Sequence, residues 1–339
     1  MPKGIGDAIQ SLQGICFLAD HKNTKGISHI QGAAPATMLA FFRSSDVEVN
    51  RWIDMDDPNA IETAVKEVDS IIDCSGQLLA GIDLLRWILE GVACTIWSHT
   101  AFHEYGAYLG NFNLTRASLN TSGFFIVERL SAPYIEPFNG PPEPASRLST
   151  RLVGYFFNLS AQETEKNYHS NFRITKAEFE AKNIICICPA GSCEDKQYPL
   201  DRLILLSKRL ISEGYVVKIV LGPNEGHLVQ QLKQLAVGEI VMPTDIYELA
   251  MELVTTQLVI TNDCGPMHVA GVLDVSLIAI FGPTNPDVWF TYKRPNQQMI
   301  KAKCTDWRTI GILESLVVEW PEVEKVYSKA LAMLSREKS

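Results

Sequence analysis

The chain has 339 residues, 46% apolar and 20% charged, with a formal net charge of −9. That length suggests two domains at about 100–200 residues each, and the acidic balance excludes a broad nucleic-acid surface, which needs a basic footprint. No stretch offers the ~18–20 consecutive apolar residues of a membrane span, and the opening Met1-Pro2-Lys3-Gly4-Ile5-Gly6-Asp7 does not resemble a secretory signal.

These features fit a cytoplasmic protein. Its 8 cysteines are dispersed, none in CxxC, and read as reduced core thiols. In chain order, residues 14–19, 47–53, 70–74 and 94–97 read as strands, with helices at 60–67 and 78–90. Five prolines in 133–144 mark an irregular loop. The interdomain connection is expected within 162–183.

The second half is more regular. Strands are expected at 184–188, 215–221, 239–242, 258–261 and 275–281. Helices are expected between them at 200–213, 225–236, 246–254 and 267–273. Such alternation implies right-handed crossovers and a parallel sheet covered on both faces. An amphipathic helix at 321–334, with Pro321 in its first turn, closes the chain. The expected class is α/β, with two Rossmann-like parallel-sheet domains (1–165 and 180–312) facing a central cleft. The C-terminal helical segment 313–339 is expected to pack back on the first domain.

Ligands of such sheets bind beyond the carboxyl ends of the strands. Four loops fall there. Thr261-Asn262-Asp263-Cys264-Gly265-Pro266-Met267-His268 runs from a strand into a helix. Its helix start presents free amides and a positive dipole end, which suits a phosphate. Taken alone, Asp263 and His268 read more readily as an Asx-type turn and a satisfied buried histidine. The loop from Pro189 to Pro199 holds Gly191, Ser192 and Lys196. Small residues let backbone amides approach an oxyanion, and the lysine adds a point charge. Gly222-Pro223-Asn224-Glu225 offers a carboxylate for ribose hydroxyls, or a helix N-terminal glutamate favoured by the dipole. Phe281-Gly282-Pro283-Thr284-Asn285-Pro286 is the fourth loop.

Three other patterns compete. Gly4-x-Gly6 is not a dinucleotide fingerprint, because the third glycine is missing. Asp54-Met55-Asp56-Asp57 resembles an acidic DxD, but Pro58 favours a helix cap. His99 and His103 would share a helical face for zinc if that segment were a helix.

Taken together, order and spacing over 184–289 resemble glycosyltransferase family 9, the ADP-heptose:lipopolysaccharide heptosyltransferases. The segments that carry this are Lys196-Gln197-Tyr198-Pro199, Gly222-Pro223-Asn224-Glu225, Ile246-Tyr247-Glu248-Leu249, Asn262-Asp263-Cys264-Gly265-Pro266-Met267-His268, and Phe281-Gly282-Pro283-Thr284-Asn285-Pro286-Asp287-Val288-Trp289. The resemblance implies a GT-B fold and an inverting, metal-independent sugar transfer from a nucleotide donor, ADP-heptose. The acceptor would be a glycan or glycolipid hydroxyl of lipopolysaccharide core or another glycoconjugate, with peripheral membrane contact. It implies Ser192 and Lys196 on the donor diphosphate and Glu225 on the ribose. Met242 and Thr244 would lie against the base. Asp263, Gly265 and His268 would contact sugar and phosphates, with Gly191, Pro266 and Met267 completing the donor-binding set. Asp7 would be the general base. No cofactor is implied beyond the nucleotide-sugar co-substrate. A non-catalytic nucleotide-sugar binder, or a GT-B epimerase or phosphorylase, fits the same loops.

Overall fold

The computed structural model describes residues 4–23, 26–74, 95–100, 117–119, 122–129, 145–160, 162–165, 172–174, 183–191, 194–290, 294–304 and 318–336. The chain divides into two compact units, Met1–Asn171 and Phe172–Ser339. The expected helix at 78–90 and the proline loop at 133–144 lie outside the described residues.

The first unit runs α1 (Ile5–His21), β1 (Gln31–Ala34), α2 (Ala36–Arg43), β2 (Arg51–Asp54), α3 (Pro58–Lys66), β3 (Ser70–Asp73), β4 (Thr95–Thr100), β5 (Ala117–Leu119), β6 (Ser122–Arg129) and α4 (Ala145–Phe157). β1 and β2 pair in parallel. The other strands form a sheet in the order β3-β4-β6-β5, with β5 antiparallel to β6. The expected strand at 14–19 is instead the last part of α1. A short apolar run fits a buried strand and a buried helix equally well. The helical period shows only when the run is extended back through Ala8, Ile9 and Leu12 to meet Cys16 and Phe17, all buried. That face packs on α4, where Phe17 clusters with Cys74, Val153 and Phe157. Gly14 permits the close crossing: a Cβ there would lie 2.7 Å from the Ser149 Cβ and 3.0 Å from its carbonyl carbon.

The acidic run after β2 is local structure. Asp57 caps α3 by accepting from the Asn59 and Ala60 amides, Asp56 accepts from the Ala36 amide, and Asp54 from the Asp56 amide. His99 lies in β4, so the helical pairing with His103 fails at its first member, and His103 lies outside the described residues.

The second unit begins β7 (Ile184–Cys188), α5 (Leu200–Ser212), β8 (Val216–Val220), a 3-10 turn (Pro223–Leu228), α6 (Val229–Gln234) and β9 (Glu239–Val241). It continues α7 (Ile246–Val254), β10 (Leu258–Asn262), α8 (Gly265–Val272), β11 (Leu277–Phe281), α9 (Pro286–Trp289) and β12 (Gln297–Lys301). The strand pair β13 (Lys303–Cys304) and β14 (Val318–Glu319) and helix α10 (Val323–Arg336) complete it. Six strands form one parallel sheet in the order β12-β11-β10-β7-β8-β9. Every residue of β10 and β11 is buried, as strands covered on both faces require. Cys186 and Cys188 are core residues here, and burial pushes the Cys186 thiol up to about 12.

Helix α10 packs on α5 within this unit. Its stripe Val323, Val326, Tyr327, Ala330 and Leu334 shares one buried cluster with Leu203, Leu206 and Leu210 of α5. Burying a large apolar side chain contributes roughly 1.5–3 kcal/mol, so this match of two stripes fixes where the helix lies. At its edge the Arg209 guanidinium sits 4.2 Å from the centre of the Tyr327 ring and 2.6 Å from Glu324.

Candidate functional site

The strand order gives the second unit a topological switch point. The chain steps from β7 outward to β8 and β9, then returns to lay β10 on the other side of β7. The loops leaving β7 and β10 therefore diverge, and their backbones open a crevice at the carboxyl edge.

Asn262, the last residue of β10, fastens the two loops together. Its side-chain amide donates to the Pro189 carbonyl at 2.6 Å and the Ala190 carbonyl at 3.1 Å, and its oxygen accepts from the Tyr198 amide at 3.1 Å. The loop after β7 is thus held at both ends by one buried residue. Within it the Gln197 side chain donates to the Gly191 carbonyl at 3.3 Å. Ser192 lies outside the described residues.

Asp263 follows, and is only 4% exposed. One of its oxygens lies 3.3 Å from Lys196 Nζ and accepts from the Thr284 hydroxyl at 2.6 Å. Three loops, after β7, β10 and β11, so meet at one carboxylate. His268 is buried one turn into α8, close enough for the charges of both Asp263 and Lys196 to act on it. Burial pushes its pKa down to about 4, Asp263 opposing and Lys196 assisting. The imidazole is therefore neutral at pH 7. Gly265 and Pro266 open α8 and Met267 is buried beneath them. Cys264 caps the helix without a side-chain hydrogen bond, and a proline at the start suits a helix entry. A lysine near a helix start is an arrangement of the kind that suits an anion.

On the other side of β7, Glu225 sits at the end of β8. It accepts from the Gly222 amide at 2.6 Å, which closes the turn, and its charge reaches the thiols of Cys188 and Cys264. The carboxylate has a structural task and still faces the same sheet edge. Beyond β9, Met242 is 40% exposed. The Thr244 amide and hydroxyl both donate to Glu248 at 2.8 Å, which holds that carboxyl below its ordinary range. Asp245 caps α7 through the Glu248 amide at 2.8 Å.

Asp7 belongs to the first unit. Gly4 is the N-cap of α1, and Asp7 lies in the first turn, where the helix dipole favours a carboxylate. Among the described residues, no group of three or more His, Cys, Asp or Glu side chains is placed to hold a metal ion. In the sequence Thr284 is legible only as part of a loop. Nothing in the sequence pairs it with Asp263, 21 positions away, because that pairing depends on β11 lying beside β10.

The fold is α/β, and the solved structures that share it are GT-B glycosyltransferases. Residues 146–309 match the family model for glycosyltransferase family 9 (heptosyltransferase). It is 28% identical over 138 residues to lipopolysaccharide heptosyltransferase 2 of Escherichia coli, a match that spans 38% of this chain and 38% of that relative's length. The fold is shared more widely. The structure of Escherichia coli ADP-heptose lps heptosyltransferase II superposes with a TM-score of 0.68 at 17% identity, covering 100% of this chain and 98% of that one. A family 9 glycosyl transferase from Veillonella parvula gives 0.66 at 16%, covering 98% and 95%.

Proposed function

We propose that the protein is an inverting glycosyltransferase that moves a heptose from ADP-heptose to an acceptor hydroxyl of lipopolysaccharide core or a related glycoconjugate. The observation that carries this reading is the junction of Lys196, Asp263 and Thr284 at the switch point, beside the start of α8. Departure of a nucleoside diphosphate develops negative charge. Preorganised positive charge and amide donors at that position lower the barrier without a metal ion. In this reading Lys196, Gly191, Ser192 and the first turn of α8 hold the diphosphate. Glu225 takes the ribose, Met242 and Thr244 flank the base, and neutral His268 with Asp263 orients the sugar. The Asp7 carboxylate takes the acceptor hydroxyl's proton as its oxygen attacks the anomeric carbon, and the bond to the diphosphate breaks on the opposite face.

No helix among the described residues is long and apolar enough to cross a membrane. In this reading the reaction takes place on the cytoplasmic side, with the glycolipid acceptor reached by peripheral contact. The test is a thermal-shift panel of ADP-, GDP-, UDP- and dTDP-sugars, followed by a transfer assay. A ligand of the native state raises the melting temperature. Stabilisation by ADP-heptose, and transfer to a heptose-deficient core acceptor, is the expected result. Binding without transfer or donor hydrolysis would instead identify a nucleotide-sugar binder.

A further inference from the structure

Trp320 lies beyond the span 146–309 that matches the family, in the segment between β14 and α10. Its ring is packed against the loops that build the cradle. A Cβ on Gly282 would fall 2.5 Å from the Trp320 ring and 3.0 Å from the Asp195 carbonyl oxygen, so the ring and the Asp195 carbonyl each approach Gly282 closely only because position 282 has no side chain. Tyr198 meets the same ring edge-on, with centroids 5.8 Å apart and planes at 77°. The indole therefore meets Tyr198, two residues after Lys196, and Gly282, which the Asp195 carbonyl also approaches. The backbone beneath is tied down as well. The Tyr198 hydroxyl donates to the Pro321 carbonyl at 2.8 Å, and Arg202 Nη1 donates to the Trp320 and Pro321 carbonyls at 2.9 Å each. Gly282 in turn opens the turn that brings Thr284 to Asp263.

We propose that Trp320 is a positioning residue that braces the Lys196 turn and the Thr284 turn against each other, and so fixes the lysine for a diphosphate. This rests on reading the site as a diphosphate cradle. The physical need is clear from the loop itself. Glu194 and Asp195 are exposed, and Lys196 carries a long, flexible side chain whose ordering costs entropy. On the inner side the turn is held by Asn262 through the Tyr198 amide. The indole supplies the outer wall. A site loosened by an ångström loses its charge-assisted contacts while the fold persists.

The test compares the affinities of ADP and adenosine for the purified full chain and two variants, Trp320→Ala and Arg202→Met, the second releasing the strap without touching the ring. Adenosine lacks the diphosphate, so it reports on the rest of the pocket. The expected result is a dissociation constant for ADP raised about 10-fold in both variants, with adenosine changed less than about twofold. A purely structural role for Trp320 would lower the melting temperature and leave the ADP-to-adenosine ratio alone. A ratio within about twofold of the parent's in the variants that fold overturns the brace while leaving the cradle intact. Failure of the parent protein to bind ADP at all removes the cradle and the brace together.

Discussion

Lys196 reaches across the junction of β7 and β10 to within 3.3 Å of Asp263, although the two are 67 positions apart in the chain. Asp263 is 4% exposed and also accepts from Thr284, so a buried carboxylate holds the lysine at the carboxyl edge of the sheet. Lys196→Ala removes both the cation for a diphosphate and the partner of a buried charge. ADP binding is expected to weaken about 10-fold or more, with a stability loss of about 1–2 kcal/mol. Isothermal titration and urea unfolding measure the two separately. Unchanged ADP affinity would mean that the cradle is elsewhere.

Asn262 makes three hydrogen bonds that join the loop after β7 to the end of β10. Asn262→Ala strands two carbonyls and one amide in a buried place. A loss of about 2–4 kcal/mol is expected from these orphaned groups. Denaturant unfolding of the variant checks this, and a loss below half a kcal/mol would contradict the staple.

His268 sets a pH dependence. Its folded pKa is about 4, below its ordinary value of 6.5. Between those values the unfolded chain binds a proton that the folded chain refuses, so stability falls as the pH drops through that window. The contribution is on the order of 2–3 kcal/mol by the linkage relation. His268→Asn should flatten the stability profile between pH 6.5 and pH 4 relative to the parent protein. Parallel profiles for parent and variant would contradict the burial argument.

Gly14 lies where α1 crosses α4, with Ser149 on the other side. The Ser149 carbonyl carbon is backbone and cannot rotate away. Gly14→Ala is expected to cost about 1–3 kcal/mol through overpacking, against the ~1 kcal/mol gain that alanine brings to an unhindered helix. A melting temperature at or above the parent's would show that the helices separate easily.

Asp7 is tested by Asp7→Asn, which keeps the shape and loses the base. Turnover is expected to fall about 100-fold or more while ADP affinity stays within about twofold. An unaltered rate would take Asp7 out of the mechanism.

The amino-acid sequence by itself determined the second unit almost element by element. Strands buried on both faces are continuous apolar runs, and turn residues separate them from amphipathic helices such as 246–254, which matches α7 in full. The four loops of the candidate site were legible for the same reason, since each follows such a strand. Local signals failed where one pattern serves two structures: residues 14–19 suit a strand or a helix, and only packing on α4 selects the helix. Contacts between loops were invisible to any local rule. The tertiary structure alone decided that Asp263 meets Lys196 and Thr284, that Glu225 closes a turn, and that α10 lies on α5 with Trp320 against Gly282. The reason is physical: periodicity records which face of an element is buried, whereas strand order decides which loop ends become neighbours.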